Sequence, residues 1–330
     1  MNKTAIVIIG SRNEEREMGL KAGTQVANGL RNRGWSIEEI DGGYPIRVIN
    51  KIQNAKVGTV IVPIAYGVGG GEDGRFKTVA DFYGIHCTGP TAAAGEISMN
   101  KNLFQTVVDG VFKDDPSVRT PQGRLITKAM TSVEITIAVG TVKLPMLIKP
   151  NYSGSSMGLT VANTLAEAES AVAMLLPTAN AVLCQELIAP AEELSITILD
   201  REDGPHVFPI VGFHRDGAVY DYEQKFGATA NDRHIIPAPI SDSQAAKARA
   251  VALTLHRAIG ACGLFRFDML LTTNEQIVVL EVNSIPGLMT TSIACDAAKA
   301  AGLTFDELVE AYALTAFLRR VEAPLLPCNL

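Results

Sequence analysis

The stretch FRFDMLLTTNEQIVVLEVNSIPG, residues 265–287, decides the fold. Both of its flanks alternate apolar and polar residues with the period of two that is typical of β-strands, and TTNEQ between them has the composition of a turn. A turn at residues 274–275 would place two pairs of residues directly opposite each other: Asp268 with Glu281, and Arg266 with Asn283. Because side chains alternate along a strand, all four would lie on the same face of the hairpin.

That face of the predicted hairpin has the composition of a magnesium site. Directly opposed residues have Cβ atoms only about 5 Å apart, so Asp268 and Glu281 would repel each other without a cation between them. With the amide of Asn283 they offer hard oxygen ligands, which suit Mg2+ better than zinc. Mg2+ usually accompanies phosphates, and Arg266 could neutralise a phosphoryl oxygen. The alternative, a solvated hairpin with an incidental pair of acids, is disfavoured by the strongly apolar strand around LEVN.

Outward from this hairpin, the chain alternates short apolar runs with helical patterns. TAIVIIG (4–10) and GTVIVPIAY (58–66) are predicted strands, and an amphipathic helix is predicted over 14–33. Strands this apolar, separated by helices, indicate an α/β fold with a parallel sheet that is covered on both faces. We predict three units: an N-terminal α/β domain over 1–96, a central unit over 97–185 and a C-terminal α+β unit over 186–330.

Two glycine-rich loops are candidate phosphate sites. GVGGGEDG (67–74) has the G-x-G-x-x-G spacing of a dinucleotide-binding turn, which would make the chain a dehydrogenase. Its Glu72 and Asp73 are poor neighbours for a pyrophosphate, however. The second loop follows Lys149 in LPMLIKPNYSGSSMGL, and its small residues could close their N–H groups over phosphate oxygens. It is not a Walker A loop, and an ordinary flexible turn is the alternative.

Composition excludes several classes of protein. The net charge of −6 disfavours binding to nucleic acid, and no stretch approaches the roughly 20 apolar residues that span a bilayer. The five cysteines are scattered and never spaced as C-x-x-C, which predicts reduced thiols in a cytoplasmic enzyme rather than a disulfide framework or a zinc site. We therefore expect no nucleic-acid partner and no membrane partner.

Eight stretches in order carry a family resemblance: NEERE (13–17), GGEDG (70–74), SMNK (98–101), KPNYSGSSMG (149–158), EELSITIL with Glu193, YDYEQKF (220–226), RFD (266–268) and EVNSIPG (281–287). Together they resemble the D-alanine–D-alanine ligase family of ATP-grasp enzymes. The resemblance implies an ATP-grasp fold in which 1–96 is a substrate domain, 97–185 the lid and 186–330 the part with the Mg2+ and acceptor site. It also implies that GVGGGEDG belongs to the amino-acid side of the site.

The resemblance implies a two-step reaction. The carboxylate of one amino acid attacks the γ-phosphate of ATP to form an acyl phosphate, and the amine of a second then displaces phosphate. By motif match the ATP site comprises Lys101, Lys149, Ser156, Gln185, Glu186, Glu193 and Lys225. The implied catalytic residues are Glu15, Ser155, Arg266 and Gly287. The implied substrate-binding residues are Gly67, Phe226, Ser292 and Ile293. The implied ligands of Mg2+ (or Mn2+) are Asp268, Glu281 and Asn283, and a homodimer is expected.

Departures from the family pattern cluster on the substrate side. Phe226 replaces the family's tyrosine, a change that in the family accompanies ligases taking a hydroxy acid as second substrate; a neutral change in packing is the alternative. Gly67 replaces a histidine, Lys77–Thr78 replace QG, and Met289 stands in the place of a threonine. The leading hypothesis is D-alanine–D-alanine ligase activity for cell-wall precursors. The alternatives are a D-lactate or other dipeptide ligase, a non-catalytic nucleotide-binding regulator, and the dehydrogenase.

Overall fold

The computed structural model describes residues 3–152, 158–188, 191–214 and 234–318. Its first sheet is fully parallel, in the spatial order β2–β1–β3–β4. The strands are β1 (Thr4–Ile9), β2 (Ser36–Asp41), β3 (Thr59–Ile64) and β4 (His86–Cys87). The helices that connect or follow them are α1 (Arg16–Asn32), α2 (Pro45–Gln53), α3 (Arg75–Phe82) and α4 (Ala92–Met99). The predicted α/β class and parallel sheet are confirmed.

Both faces of this sheet are buried, as its uninterrupted apolar strands require. One face, with Val7 and Val62, packs on α1 and on helices from the C-terminal end of the chain. The opposite face, with Ile8 and Ile61, packs on α2 and α3. The strand β2 had not been predicted, because its sequence SIEEID is half charged. It lies at the sheet edge, where charged side chains are tolerated and discourage pairing with other chains.

A second, four-stranded antiparallel sheet follows, in the order β6–β9–β7–β8. Its strands are β6 (Gly123–Thr127), β7 (Met146–Pro150), β8 (Thr160–Ala162) and β9 (Ala181–Glu186). Helices α6 (Ser132–Gly140) and α7 (Leu165–Ala179) pack on one of its faces through a compact apolar cluster. Helix α5 (Lys101–Val111) precedes this unit, and the short strand β5 (Val118–Arg119) links the two.

The third sheet has the order β13–β12–β10–β14–β15–β5, with β11 paired to β10. Its remaining strands are β10 (Ala191–Arg201), β11 (Gly204–Val207), β12 (Val211–Phe213), β13 (His234–Ile235), β14 (Leu264–Thr272) and β15 (Ile277–Asn283). Helices α8 (Asp242–Ala258), α9 (Ile293–Ala300) and α10 (Phe305–Leu314) complete the described chain. None of the helices in the described ranges combines the length and apolar character needed to cross a bilayer.

The predicted hairpin is β14–β15, and its register at the site is confirmed. Asp268 pairs with Glu281 and Arg266 with Asn283. The predicted two-residue turn is wrong. The N–H of Thr272 donates to the carbonyl of Gln276, and the hydroxyl of Thr272 accepts the N–H of Gln276, so the turn consists of the three residues 273–275. The register of β14 and β15 then shifts between Asp268 and Met269, which leaves one extra residue on β15, Leu280.

Candidate active site

One face of the third sheet carries a band of polar side chains. The register of β10 against β14 places Ser195 opposite Asp268 and Thr197 opposite Arg266, and β15 adds the predicted acidic and amide residues on the same side. The opposite face, with Phe265 and Phe267, is a dry core packed on α5 and α8. A sheet with one apolar and one polar buried face needs a ligand or another unit over the polar one.

Asp268 is at the centre of this band and is 2% exposed. Its carboxylate accepts hydrogen bonds from Ser195 Oγ at 2.5 Å, from Asn283 Nδ2 at 3.1 Å and from two guanidinium nitrogens of Arg266 at 2.8–2.9 Å. A buried carboxylate with this many donors is held in one orientation. The predicted grouping of Arg266, Asp268 and Asn283 on one face is thus observed.

Arg266 is largely buried, and two opposing effects set its charge state. Burial lowers the pKa of its guanidinium, but Asp268, Glu281 and Glu193 together outweigh burial, so the pKa is raised above its usual value. Glu281 also lies 3.7 Å from the Nζ of Lys101. The band therefore alternates cations and carboxylates at contact distance, an arrangement that can accept a polyanion once a carboxylate is neutralised.

The two lysines predicted to contact phosphate come from separate elements, α5 and β7, that hydrogen bonds hold together. Lys101 is the first residue of α5, and Lys149 lies near the end of β7; both are at least nine-tenths buried. Asn151, two residues after Lys149, accepts the N–H of Asn102 at 2.9 Å and donates to Asn100 Oδ1 at 2.9 Å. Its carbonyl also accepts the Lys101 N–H. The N-terminus of α5, which attracts anions, is thereby joined to the strand end that carries Lys149.

The chemistry of the donor set fits a divalent metal. Asp268 and Glu281 are directly opposed on adjacent strands, and Asn283 is hydrogen-bonded to Asp268. Two carboxylates and an amide oxygen are ligands that Mg2+ accepts. In the part of the chain that the structure describes, no group of three or more His, Cys, Asp or Glu side chains is arranged to hold a metal ion, so the candidate set takes the amide of Asn283 as its third ligand.

The residues predicted at the adenine and ribose come from β9 and β10. Gln185 is 2% exposed and donates to Gln105 Oε1 at 2.8 Å. Glu186 forms an ion pair with Arg119 and accepts the Gln122 N–H, so both side chains are engaged inside the protein. Any contact of these two residues with an adenine ring would therefore involve their backbone N–H and carbonyl groups. Glu193 is on the polar face of β10 and is 7% exposed.

The amino-terminal side of the site holds two buried acids. Glu15 precedes α1, and Glu72 lies in the glycine-rich loop, where it accepts the N–H of Gly67. Burial, and then the nearby Glu15, raise the pKa of Glu72 well above its usual range. Lys101 and Arg266 act in the opposite direction, which places Glu72 within electrostatic reach of the hairpin. The glycine-rich loop therefore faces the same site and not a separate one.

The loop after β15 supplies the remaining predicted residues. Leu288 donates its N–H to Tyr66 Oη at 3.0 Å and Met289 donates to Ser292 Oγ at 3.1 Å. The N–H of Gly287 has no acceptor within the described ranges, so it is available for a ligand oxygen. The Ile293 side chain packs in the apolar core, and its contact with a substrate would come from the backbone.

Four predicted site residues, Ser155, Ser156, Lys225 and Phe226, lie outside the described residues. Conversely, sequence reasoning gave no role to Glu72 or Asn151. Glu72 had been used only as an argument against a pyrophosphate, and its burial is visible only in the folded chain. Asn151 stands in the quoted KPNYSGSSMG stretch, but its partner at the N-terminus of α5 is visible only in three dimensions.

Comparison with known proteins gives the family. Residues 124–313 match the family model described as D-ala D-ala ligase C-terminus, which is more than half of the chain. The D-alanine–D-alanine ligase of Synechococcus sp. is 30% identical over 309 residues, covering 92% of this chain and 91% of that enzyme. The chain belongs to the D-alanine–D-alanine ligase family. The resemblance read from the eight stretches is therefore confirmed.

Solved structures support the family's fold for this chain. D-alanine–D-alanine ligase from Bacillus anthracis superposes with a TM-score of 0.78 at 22% identity, over 97% of this chain and 99% of that one. The VanG D-Ala:D-Ser ligase from Enterococcus faecalis gives a TM-score of 0.77 at 21% identity, over 96% and 100%. At such identities the likeness establishes the ATP-grasp fold and leaves the substrates to be argued from the site.

Proposed function

We propose that this chain is an ATP-dependent carboxylate–amine ligase that joins two D-alanine molecules for peptidoglycan precursor synthesis. One observation carries the proposal: the buried Arg266–Asp268 pair and Glu281 lie together with Lys101, 3.7 Å from Glu281, on the polar face of the third sheet. Attack of a carboxylate on a triphosphate brings two anions together, and a cluster of buried cations lowers that barrier. A protein that only bound a nucleotide would not need the two acids beside these cations.

In the first step, a carboxylate oxygen of one amino acid forms a bond to the γ-phosphorus, and the bond to the bridging oxygen of ADP breaks. Lys101 and Lys149 neutralise the charge on the phosphate oxygens, and Glu15 holds the ammonium group of the amino acid. Asp268 keeps Arg266 oriented toward the transferred group through paired hydrogen bonds. The products are ADP and an acyl phosphate.

In the second step, the amine of the second amino acid forms a bond to the acyl carbon and the bond from that carbon to the phosphate oxygen breaks; the proton lost by the amine leaves with the phosphate as hydrogen phosphate. The Gly287 N–H and Arg266 are placed to stabilise the oxyanion that develops on the carbonyl. Ser292 binds the carboxylate of the second amino acid at the start of α9, where its Oγ already orders Met289. The result is a dipeptide and inorganic phosphate.

Asp268, Glu281 and Asn283 would hold Mg2+ or Mn2+. When bound, the ion would supply positive charge that neutralises part of the charge on the phosphate oxygens. Without it, Asn283 is hydrogen-bonded to Asp268, Asp268 is held by Arg266, and the pairing of the two strands sets Glu281 opposite Asp268. The site is therefore pre-assembled on the two strands of one hairpin.

We also propose a homodimer and a cytoplasmic location. Helices α2 and α3 pack against each other, and the exposed side chains on them include Ile46 at 76% and Phe82 at 73% exposure. Apolar groups of this size on neighbouring helices favour contact with a second copy, which sedimentation velocity tests. Among the described residues, Cys87, Cys184 and Cys295 are free cysteines, and free cysteines without a disulfide framework suit a reducing compartment.

The experiment is an assay of phosphate and ADP release with ATP, Mg2+ and a panel of D- and L-amino acids and D-lactate. D-alanine alone should support turnover. Turnover only with D-alanine plus D-lactate would move the acceptor to a hydroxy acid, as Phe226 would favour, and turnover only with another amino-acid pair would reject the cell-wall assignment. A shift of NADH fluorescence on mixing would instead revive the dehydrogenase.

Glu281→Gln tests the role of the hairpin acids in this assay. We expect a loss of at least about a hundredfold in kcat, because a neutral amide in place of this carboxylate would hold Mg2+ less tightly, and stabilisation of charge in the transition state is worth this much. Glu275→Gln is the matched control, since it makes the same change at the exposed turn of the same hairpin. Equal rates for the two variants would contradict the proposed site.

A further inference from the structure

Gly67 occupies a place in which no larger residue fits. Its φ of +76° lies in the left-handed region. A Cβ added at this position would lie 2.4 Å from Asn13 Nδ2 and 2.8 Å from Glu15 Oε2. Any side chain at position 67, including the histidine of the family pattern, would therefore point between Asn13 and Glu15. In this chain that volume is already filled, by the amide of Asn13.

Asn13 uses all of its hydrogen-bonding capacity to hold two loops together. Its Nδ2 donates to the carbonyls of Tyr66 at 2.8 Å and Val68 at 3.1 Å, the two residues that flank Gly67. Its Oδ1 accepts the hydroxyl of Ser11 at 2.8 Å and the backbone N–H of Glu15 at 2.9 Å. An amide offers two donors and two acceptor lone pairs. None remains for a substrate, so Asn13 acts through Glu15.

The segment held by Asn13 connects several parts of the site. The Gly67 N–H donates to the carboxylate of Glu72, and the hydroxyl of Tyr66 accepts the N–H of Leu288, next to Gly287. A displacement of the segment would thus alter both buried acids and the loop that follows β15. Because Asn13 Oδ1 accepts the N–H of Glu15 directly, a change at Asn13 alters the position of Glu15 without contact with a substrate.

We infer that Asn13 is a positioning residue for Glu15. Asn13 and Gly67 form one steric and hydrogen-bonded unit, and the amide of Asn13 takes the place that a side chain at position 67 would occupy in the pocket of the first amino acid. The inference rests on the proposed function only in assigning Glu15 to that substrate. The unit itself is a property of the folded chain. Recognition of the first amino acid then depends on the acids Glu15 and Glu72, and residue 67 contributes only its backbone.

The test is a double-mutant cycle of Asn13→Ala, Gly67→Ala and the double variant. Gly69→Ala, alone and with Asn13→Ala, is the matched control. Gly69 has a φ of +82° in the same loop, but a Cβ there would meet nothing closer than Arg75 Nη1 at 3.7 Å. Both glycine variants carry the same backbone strain, and only Gly67→Ala collides with Asn13. Melting temperature and the Michaelis constants for ATP and for the first amino acid are measured for each.

We expect Asn13→Ala to raise the Michaelis constant of the first amino acid by roughly tenfold and that of ATP by less than about twofold, since misplacing Glu15 affects only one substrate. Gly67→Ala should lower the melting temperature more than Gly69→Ala, and most of that excess should vanish in the Asn13→Ala background. Additive effects in the Gly67 cycle, or equal coupling in the Gly69 cycle, would overturn the inference.

The melting temperatures separate this inference from the proposed function. If the unaltered chain supports no ligase turnover, the function fails, yet the coupling in stability between Asn13 and Gly67 is still measured. If the chain is active and the Gly67 cycle shows coupling in stability, but Asn13→Ala leaves the Michaelis constant of the first amino acid unchanged, the unit exists and does not position Glu15. That result would reject the positioning role.

Discussion

At the scale of single residues, the site depends on Arg266 meeting Asp268 two positions further along the same strand. Residues i and i+2 share a face, so the two side chains lean together, and the guanidinium meets the carboxylate through its Nε and Nη2. The hydroxyl of Ser195 and the amide of Asn283 complete the shell of Asp268. Arg266 is therefore held by a carboxylate that itself cannot turn.

Arg266→Lys should lower kcat by about a hundredfold or more, because an ammonium cannot form two parallel hydrogen bonds and point at an oxyanion at the same time. The rate of ADP formation measures this change, and circular dichroism verifies the fold. Arg124→Lys, an exposed arginine on β6, is the control and should retain the original rate. A rate for Arg266→Lys within about threefold of the original would argue against a role in the transition state.

At the scale of elements, β14–β15 and the N-terminus of α5 show two ways of assembling a site. On β15, Ile277 and Val279 pack in the core, and strict alternation would send Glu281 to the same side. The extra residue at Leu280 reverses the alternation, so Glu281 faces Asp268 on the polar side. By contrast, the N-terminus of α5 is joined to the end of β7 by side-chain hydrogen bonds of Asn151, without any pairing of strands.

Asn151→Ala should raise the Michaelis constant for ATP by about tenfold, because it removes hydrogen bonds that place Lys101 relative to Lys149. It should also destabilise the fold by about 1–2 kcal/mol. Thr131→Ala removes the N-cap of helix α6, which packs in the apolar cluster of the second sheet. That control should lose about 1 kcal/mol of stability with an unchanged Michaelis constant for ATP. A similar rise of the Michaelis constant for ATP in both variants would contradict the role of Asn151 in placing the two lysines.

At the scale of the whole molecule, Glu310 on α10 ties the C-terminal end of the chain to the first domain. Its carboxylate accepts Lys3 Nζ at 2.7 Å, Arg33 Nε at 2.7 Å and the indole of Trp35 at 3.1 Å. Burial alone would raise the pKa of Glu310, but these hydrogen bonds outweigh it and lower the pKa from 4.5 to about 2. The interface between the distant segments is thus stabilised by a charged group that folding keeps ionised.

Glu310→Gln should cost about 1–2 kcal/mol of unfolding free energy at pH 7, a modest value because Lys3 and Arg33 are partly exposed. Since the folded pKa lies below the unfolded one, this stability is fully present above pH 4.5 and is lost as the pH falls toward about 2. Urea unfolding measures it through the fluorescence of Trp35, the chain's single tryptophan. Glu202→Gln, at an exposed glutamate, is the control. If the difference in unfolding free energy between Glu310→Gln and the unaltered chain stays constant down to low pH, the ionised Glu310 is not its source.

Sequence reasoning was most successful where a residue's surroundings are local. The apolar runs of β1 and β3 indicated a buried parallel sheet, and the alternation of β14 placed Arg266 and Asp268 together, because period and burial follow from neighbours along the chain. The eight ordered stretches indicated the family, which the comparisons confirmed. The register at Asp268 and Glu281 was also correct, although it arises from a three-residue turn plus a bulge rather than from a two-residue turn.

What the amino-acid order determined for this protein is therefore the class of fold, the family and the residues able to carry the chemistry. Only the tertiary structure decided how Asn13 closes on Gly67, how Asn151 meets α5 and how Glu310 meets Trp35. These partners are tens to hundreds of residues apart in the sequence. Each contact forms only because the packing of two separate elements brings the two side chains within hydrogen-bonding distance. Periodicity reports which face of an element is buried, and it carries no information about which distant side chain will lie against that face.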